Sequence, residues 1–252
     1  MNKHWNVVSL AALSILGLSS IAFAGSGDAH WGYTGHGGPG HWGDLDKKNA
    51  ACKLGQEQSP INITGAHKAA LPALVANYQP GALKIVNNGH TVQVNVGAGS
   101  SLQIGDQSYS LAQFHFHTPS EEQVNGKSYD MVWHLVHKDP QGGLAVVGVL
   151  VKAGKKHREM GKIVSHLPKV PNKEQMIAAV KIDPAKMLPA NLGYYHFNGS
   201  LTTPPCSEGV KWYVLKTPVE ASPEQIARFK ALFGGNARPV QPLNARLVQE
   251  SQ

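Results

Sequence analysis

The sequence predicts a mainly β (β-rich α+β) protein, a single domain built on a large, mostly antiparallel sheet with short helices at its edges. Two observations carry this prediction. Only 15% of the 252 residues are charged, while 27 are Gly and 16 are Pro, which is typical of a loop-rich globule and not of a helical bundle. Several short runs also alternate apolar and polar residues or are rich in β-branched residues. Neither an internal repeat nor a linker divides the chain, and its length suits one large domain.

The strands are predicted from side-chain alternation. In 90–96, Val92, Val94 and Val96 share one face of an extended chain, and 113–117 alternates polar and aromatic residues. Apolar, β-branched runs predict further strands over 131–137, 144–151 and 210–216. Turn sequences at 87–89 and 139–143 separate these runs.

Three helices are predicted at the edges. The clearest begins at Ser222, where a serine cap, Pro223 and Gln225 form a capping-box pattern, and it ends before Gly234. A second is predicted over 156–167, before Pro168, and a shorter third over 172–180.

Residues 1–24 are predicted to be a signal peptide. Lys3 precedes an apolar run over 7–18, and Ala22-Phe23-Ala24 is a small-x-small cleavage site, so the mature domain would span 25–252. An uncleaved membrane anchor is the alternative. No later segment is apolar enough for a membrane span, so a periplasmic or secreted protein without stable membrane insertion is expected.

The excess of basic over acidic residues indicates a soluble protein more than one that binds nucleic acid. The formal net charge is +7, but the lysines are scattered, and the densest basic run, 152–158, is short. We therefore expect no binding to nucleic acid.

Cys52 and Cys206 are the two cysteines of the chain. In an exported protein an even pair is normally a disulfide. A Cys₂His₂ zinc site is the competing interpretation, and it fails on spacing because neither cysteine lies in a short C-x-x-C unit.

The stretch 30–42 is rich in Gly and His and has neither helical nor strand periodicity. It is either a surface metal-binding tract or an extended arm that packs Trp31, Tyr33 and Trp42 on the body of the protein.

Three histidines are the candidate metal ligands. His115 and His117 lie two residues apart, so a strand directs both to one face, opposite Phe114 and Phe116. A turn near Gly126 would fold the next strand back antiparallel and bring His134 opposite the pair. Three neutral imidazoles leave a fourth position open, which is the form of zinc site found in catalysis.

The sequence around these histidines resembles that of the α-class carbonic anhydrases. The match runs in the family's order over about 31–246, with the zinc strand QFHFHTPSE at 113–121 and SLTTPPC at 200–206. Five further blocks match, at 58–62, 87–90, 134–137, 144–148 and 238–243. The resemblance implies a twisted central sheet of about ten strands, one Zn²⁺, and the reversible hydration of carbon dioxide to bicarbonate and a proton by zinc-bound hydroxide. It also implies the disulfide of exported members, at Cys52 and Cys206.

The resemblance assigns roles position by position. His90 matches the proton shuttle, Thr202 the hydroxyl that orients the nucleophile, and Glu121 the carboxylate to which that hydroxyl donates. Thr203 matches the neighbouring bicarbonate-side threonine. Tyr33 and Gln93 match the residues that order the waters of the site. Gln113 and Asn236 match the groups that orient the first two ligands. The apolar wall that receives carbon dioxide is matched by Val136, Val146, Leu201 and Trp212.

Two departures from the family pattern are complementary. The family usually has a glutamate two residues before the last ligand, where this chain has Val132, and a histidine after the gate glutamate, where it has Glu122. Phe197 also replaces a frequent tyrosine. Because an unpaired, buried imidazole N–H costs about 1–3 kcal/mol, we expect Glu122 to supply the carboxylate for His134, unless it faces solvent or another polar network.

Two functions follow from the resemblance. The first is a carbonic anhydrase that acts on carbon dioxide, bicarbonate and water, with hydrolysis of activated esters as a side activity. The second is a catalytically silent binding protein on the same fold, which would usually lack a zinc histidine. The sequence leaves the oligomeric state open, a homodimer included.

Overall fold

A computed structural model describes residues 30–252 together with Met1. The predicted signal peptide and the predicted start of the domain at residue 25 therefore lie outside the described residues, apart from Met1. Strands β1 to β16 of the described part span Asn62–Ile63, His67–Ala69, Leu74–Asn77, Gly81–Asn87, Val92–Asn95, Ser101–Ile104, Gln107–His117, Gln123–Val124, Lys127–Ser128, Met131–Lys138, Leu144–Ala153, Gln175–Ile182, Tyr194–Ser200, Glu208–Leu215, Val219–Ala221 and Gln249–Ser251. Helices α1 to α4 span Trp42–Leu45, Ala51–Leu54, Arg158–Val164 and Pro223–Phe233.

Thirteen of the strands in this described part form one sheet. Ten of them follow one path in the order β12-β4-β5-β7-β10-β11-β14-β13-β16-β2, and β3, β6 and β15 pair beside it. Most neighbours are antiparallel, and the parallel pairs are β11 with β14, β11 with β15, and β16 with β2. The predicted mainly β architecture, with a large, mostly antiparallel sheet and short helices, is confirmed.

The central strands β7 and β10 have different environments on their two faces. Phe114 and Phe116 of β7 pack with Trp133 and Leu135 of β10 in the large apolar core. The side chains between them in sequence point to the opposite face, because successive residues of a strand alternate. That face carries His115 of the cleft described below.

Two of the three predicted helices agree with the structure in position. The capping box of Ser222 and Gln225 is formed, and α4 ends at Gly234, whose φ of 68° is the left-handed conformation that glycine adopts easily. The second helix is shorter than predicted. It begins at Arg158 because the His157 side chain caps it by accepting a hydrogen bond from the Met160 N–H.

The predicted helix over 172–180 is wrong. The chain there forms β12, an edge strand that pairs antiparallel with β4 from Gln175 to Ile182. Ile177 and Val180 of this strand pack against the large core, so tertiary pairing of the exposed edge of β4 outweighs the local helix propensity.

The N-terminal arm packs on the body of the protein, as one of the two interpretations predicted. Trp42 is fully buried beside the Cys52–Cys206 disulfide, and its Nε1 donates to the backbone oxygens of Gly32 and Gly37 at 2.8 and 2.9 Å. The arm is not wholly extended, since it contains a short 3₁₀ turn and α1. None of the helices in the described chain is long and apolar enough to cross a membrane.

Candidate metal centre

The register of β7 and β10 brings the three predicted histidine ligands together. His134 lies directly opposite His115, and Val132 lies opposite His117, in an antiparallel pairing. Because cross-strand partners project from the same face, the three imidazoles converge. One nitrogen of each ring belongs to a set of atoms that all lie within 4.8 Å of one another.

Each of these rings has its other nitrogen engaged by the protein. Nδ1 of His115 lies 2.9 Å from Gln113 Oε1, and Nδ1 of His117 lies 2.7 Å from the backbone oxygen of Asn236. His134 differs, because its Nε2 lies 3.0 Å from Glu122 Oε1. If each engaged nitrogen carries the proton, Nε2 of the first two rings and Nδ1 of His134 keep lone pairs for a metal.

The environment keeps the first two rings neutral. Burial, with the charge of His134, lowers the pKa of His115 to about 3, and burial also lowers the pKa of His117 well below its ordinary value. Burial alone would lower the pKa of His134, but the charges of Glu122 and Glu121 raise it. Neutral imidazole is the state that binds a metal.

The residues present fit a divalent metal ion. Nε2 of His117 is buried and has no hydrogen-bond partner among the described residues, and the same is true of Glu121 Oε2, which lies 3.4 Å from it. Buried polar atoms without partners are rare in folded proteins. Three nitrogens with an open side form the donor set of a catalytic zinc site.

Glu121 is buried behind the histidines. Its Oε1 accepts from the backbone N–H of Arg238 at 2.8 Å. Burial, together with the charge of Glu122, raises its pKa to about 8, although His134, the Arg238 N–H and the Thr202 hydroxyl act in the opposite direction. The Thr202 hydroxyl lies near this carboxyl and lowers its pKa. It does not form a hydrogen bond to Glu121 Oε2, which has no partner among the described residues.

The three histidines lie in a cleft of about 160 Å³. Its wall follows from sheet register, since Val136 of β10 pairs with Val146 of β11, which in turn pairs with Trp212 of β14. These three side chains therefore form an apolar row across neighbouring strands, and Leu201 lies beside it.

His90 lies on the cleft and is half-buried. Its ring stacks on Trp31, with centroids 3.5 Å apart and planes inclined by 10°, and stacks less closely on His30 at 5.2 Å. Burial, with the charge of His30, lowers the pKa of His90. The imidazole is therefore neutral over a wider range of pH than an exposed histidine.

Most of the site residues predicted from sequence line this cleft, and three lie behind it. Glu121, Glu122 and Asn236 are buried outside the wall, where they contact the histidines of the cluster. The predicted site residues that do line the cleft are Tyr33, His90, Gln93, Gln113, His115, His117, His134, Val136, Val146, Leu201, Thr202, Thr203 and Trp212.

Sequence reasoning missed two contacts. Trp31 was predicted to pack as part of the arm, yet it also forms the stacking surface of His90. Arg238 lies in a block that matches the family, but the sequence does not reveal that its N–H donates to Glu121 and its guanidinium to Gln58, Ser59 and Cys52. Neither contact is visible in a single sequence, because both join segments that are distant along the chain.

Comparisons with known proteins agree with this geometry. A family model described as eukaryotic-type carbonic anhydrase matches residues 37–252. A carbonic anhydrase from Nostoc sp. is 45% identical over 97% of this chain and 96% of its own length. One from Neisseria gonorrhoeae is 43% identical over 96% of each chain.

Solved structures show the same similarity. The α-carbonic anhydrase of Thermovibrio ammonificans, in complex with the inhibitor sulfanilamide, is 47% identical with a TM-score of 0.85, over 90% of this chain and all of the other. Dioscorin in complex with ascorbate is 32% identical with a TM-score of 0.81, over 87% of this chain and 97% of the other.

Proposed function

The chain belongs to the eukaryotic-type (α-class) carbonic anhydrase family, and from this premise we propose that it uses Zn²⁺ to hydrate carbon dioxide reversibly to bicarbonate and a proton. The observation that carries the proposal is the convergence of three imidazoles on one side of a cleft that also has an apolar wall. The enzyme class follows from the family, whereas the metal and the roles of single residues are our proposal.

His115, His117 and His134 would hold the zinc ion. When bound, such an ion acts as a Lewis acid and lowers the pKa of a water molecule to about 7. The chain contributes the orientation of the ligands, because the contacts of Gln113 and the Asn236 carbonyl fix the first two rings.

Thr202 would orient the nucleophile. A threonine hydroxyl that donates its proton to Glu121 can only accept from an O–H in the cleft. The attacking oxygen would then turn its lone pair toward the substrate. Glu121 Oε2 is buried and has no hydrogen-bond partner within the part of the chain that the structure describes, so it could be the acceptor that this arrangement needs.

His90 would carry the proton from the cleft to solvent. Its ring lies at the cleft and is half-exposed, and an imidazole exchanges protons with buffer at little cost near neutral pH. Tyr33 and Gln93 would order the waters between His90 and the reaction centre, and the buried Tyr33 hydroxyl has no partner among the described residues.

The apolar row would receive carbon dioxide. Val136, Val146, Leu201 and Trp212 make a surface that does not compete with water for hydrogen bonds, which suits a weakly polar substrate. Thr203, on the same cleft, would contact bicarbonate.

Stopped-flow measurement of carbon dioxide hydration tests this proposal. The zinc-loaded protein should hydrate carbon dioxide, the chelator-stripped protein should not, and added zinc should restore the rate. The His117→Ala variant serves as a control that cannot complete the site. A zinc-loaded, folded wild type without hydration activity would overturn the proposal.

A silent binding protein is the second candidate, because a protein of similar fold, dioscorin, has been solved in complex with ascorbate. The complete set of three histidines, with Thr202 and Glu121 beside it, supports the enzyme instead. If the protein takes up zinc but accelerates neither hydration nor the hydrolysis of activated esters, the binding function is favoured.

We also propose that residues 25–252 are the catalytic domain, released by cleavage after Ala24 into the periplasm or the medium. The Cys52–Cys206 disulfide supports an oxidising compartment. Sequencing the N-terminus of the protein recovered from outside the cytoplasm tests the cleavage, and sedimentation tests whether a homodimer forms.

A further inference from the structure

We propose that Glu122 is the positioning residue for the third metal ligand in this chain, and that it acts from the loop after β7 in place of a carboxylate on the ligand's own strand. The inference rests on the proposed function only in taking His134 as a ligand. It concerns how strongly the site retains its metal, which can be measured separately from catalysis.

The contact itself is direct and buried. Glu122 Oε1 lies 3.0 Å from His134 Nε2, and both residues are no more than 1% exposed. Among the described residues, Glu122 is the hydrogen-bond acceptor for this nitrogen. A carboxylate accepts but does not donate, so Nε2 must carry the hydrogen and Nδ1 must present its lone pair.

The ring of His134 is oriented so that this lone pair faces the cluster. Its Nδ1 lies on the side of Glu121 Oε2, at 3.8 Å, and Oε2 lies in turn 3.4 Å from His117 Nε2. The imidazole therefore lies between two glutamates, and its hydrogen bond is to Glu122. Glu122 selects the tautomer, while Glu121 lies on the side of the metal site.

A network of backbone contacts holds Glu122 rigidly. Ser120 Oγ donates to the backbone oxygen of Glu122 at 2.8 Å and accepts from the Tyr129 N–H at 2.8 Å. The Ser120 N–H also binds the Tyr129 oxygen, and the Gln123 N–H binds the Ile61 oxygen. The hydrogen bonds of its loop therefore fix the backbone from which the buried Glu122 carboxylate extends.

The strand of His134 does not offer a carboxylate of its own. Val132 lies two residues before His134 and hence on the same face of β10. It is fully buried in an apolar cluster with Ile61 and Ile63, so the strand contributes packing at this position. The charge that orients the ligand comes instead from a segment that also carries His117 and Glu121.

Zinc release from the loaded protein tests this role. Residues that orient metal ligands typically change metal affinity by about 10- to 100-fold. We expect Glu122→Gln to accelerate zinc loss to excess chelator by about that factor, because an amide removes the charge and allows the other tautomer of His134. Glu122→Asp, which keeps the charge but is shorter, should have an intermediate effect.

Glu159→Gln is the matched control. Glu159 is also a buried glutamate, but it pairs with Lys162 at 2.8 Å on α3, away from the cleft. This variant should lower thermal stability without changing the rate of zinc release. Equal rates for wild type, Glu122→Gln and Glu159→Gln would overturn the inference.

A carboxylate returned to the strand provides a rescue. Glu122→Gln combined with Val132→Glu should recover slow zinc release, since residue 132 shares the face of His134. If Glu122→Gln does not fold, Glu122→Asp and ¹⁵N NMR of wild-type His134 decide the matter, and protonation of Nδ1 instead of Nε2 would contradict the inference.

Failure of the proposed function gives a different pattern. A wild type that binds zinc tightly and loses it rapidly on Glu122→Gln, yet never hydrates carbon dioxide, would remove the proposed activity and leave the role of Glu122 intact.

Discussion

At the residue scale, each of the three clustered imidazoles has one ring nitrogen in a hydrogen bond to the protein and the other facing the cluster. The acceptors that commit His115, His117 and His134 are a side-chain amide, a backbone carbonyl and a carboxylate. This division would leave one nitrogen of each ring free for a metal ion. Burial keeps His115 and His117 neutral, whereas the charges of Glu122 and Glu121 raise the pKa of His134.

Replacing His90 tests the proposed proton transfer. We expect His90→Ala to lower kcat by roughly 100-fold, the lower end of the usual contribution of an acid–base side chain. The loss should be recovered by imidazole in the buffer, because a diffusible base can replace the side chain. The measurement is stopped-flow hydration at low buffer concentration.

His67→Ala is the control for this substitution, because His67 is an exposed histidine on β2. It should leave kcat unchanged. Wild-type kcat in the His90→Ala variant, at low buffer concentration, would exclude His90 as the proton carrier.

The buried His137 should make the free energy of unfolding depend on pH. It is buried, its Nε2 lies 2.7 Å from the Tyr78 hydroxyl, and burial lowers its pKa from the ordinary 6.5 to about 4. Between these values the unfolded chain binds a proton that the folded chain does not, so the free energy of unfolding decreases as the pH falls from 6.5 to 4. The loss from this group is on the order of 3 kcal/mol, and the contribution is fully present above pH 6.5.

Urea unfolding at pH 7 and pH 5 checks this prediction, with His137→Gln as the comparison. The variant should be less stable at pH 7 but should lose less stability than the wild type between the two pH values. An equal loss in both proteins would mean that His137 does not contribute to the pH dependence.

Single residues were predicted from sequence where a short motif defines their partner. The shared face of His115 and His117 follows from alternation alone, and the position of His134 opposite them from a plausible turn, whereas their role as metal ligands rests on the family resemblance. The stacking of Trp31 on His90 was not predictable in this way, because it depends on where an irregular arm lies on the finished sheet.

At the element scale, the position of the site follows from strand register. One row of paired residues contains Gln93, His115 and His134, and the next contains Gln113, Val136, Val146 and Trp212. Polar and apolar sides of the cleft are therefore adjacent rows of one sheet. A shift of register by one residue would turn these side chains to the other face.

Helix α4 offers a test of an element that the sequence predicted well. Ser222→Ala removes the capping box with Gln225 and should lower the free energy of unfolding by about 1 kcal/mol, without changing hydration activity. Chemical denaturation measures the change, with the exposed Ser110→Ala as the control. A change as small as that of Ser110→Ala would show that the cap contributes little.

The elements that were predicted correctly have strong local signals. The runs of β10 and β11 are β-branched and buried on both faces, and α4 has explicit start and stop residues. Residues 172–180 lack such signals, and pairing with the edge of β4 decides their structure. The information that makes β12 a strand is therefore in another part of the chain.

At the scale of the whole molecule, the disulfide joins the arm region to the loop that carries Thr202 and Thr203. Cys52 and Cys206 are separated by 154 residues, and they pack with Trp42 in a small apolar cluster. Arg238 bridges this cluster and the site, since its guanidinium donates to the Cys52 oxygen and its N–H binds Glu121.

Removing the disulfide should therefore affect stability more than chemistry. The chain-entropy estimate for so long a loop is about 5 kcal/mol, and measured losses for native disulfides are typically about 2–5 kcal/mol. We expect the Cys52→Ser/Cys206→Ser variant to unfold at lower denaturant concentration, with hydration activity retained at 25 °C. Unchanged stability would contradict this account.

A zinc titration of the chelator-stripped protein, followed by the rate of carbon dioxide hydration, tests the central claim most directly. Three converging imidazoles predict that the rate rises in proportion to added zinc and stops rising at one equivalent per chain. A rate that stays at the uncatalysed level, or a break at another stoichiometry, would contradict it.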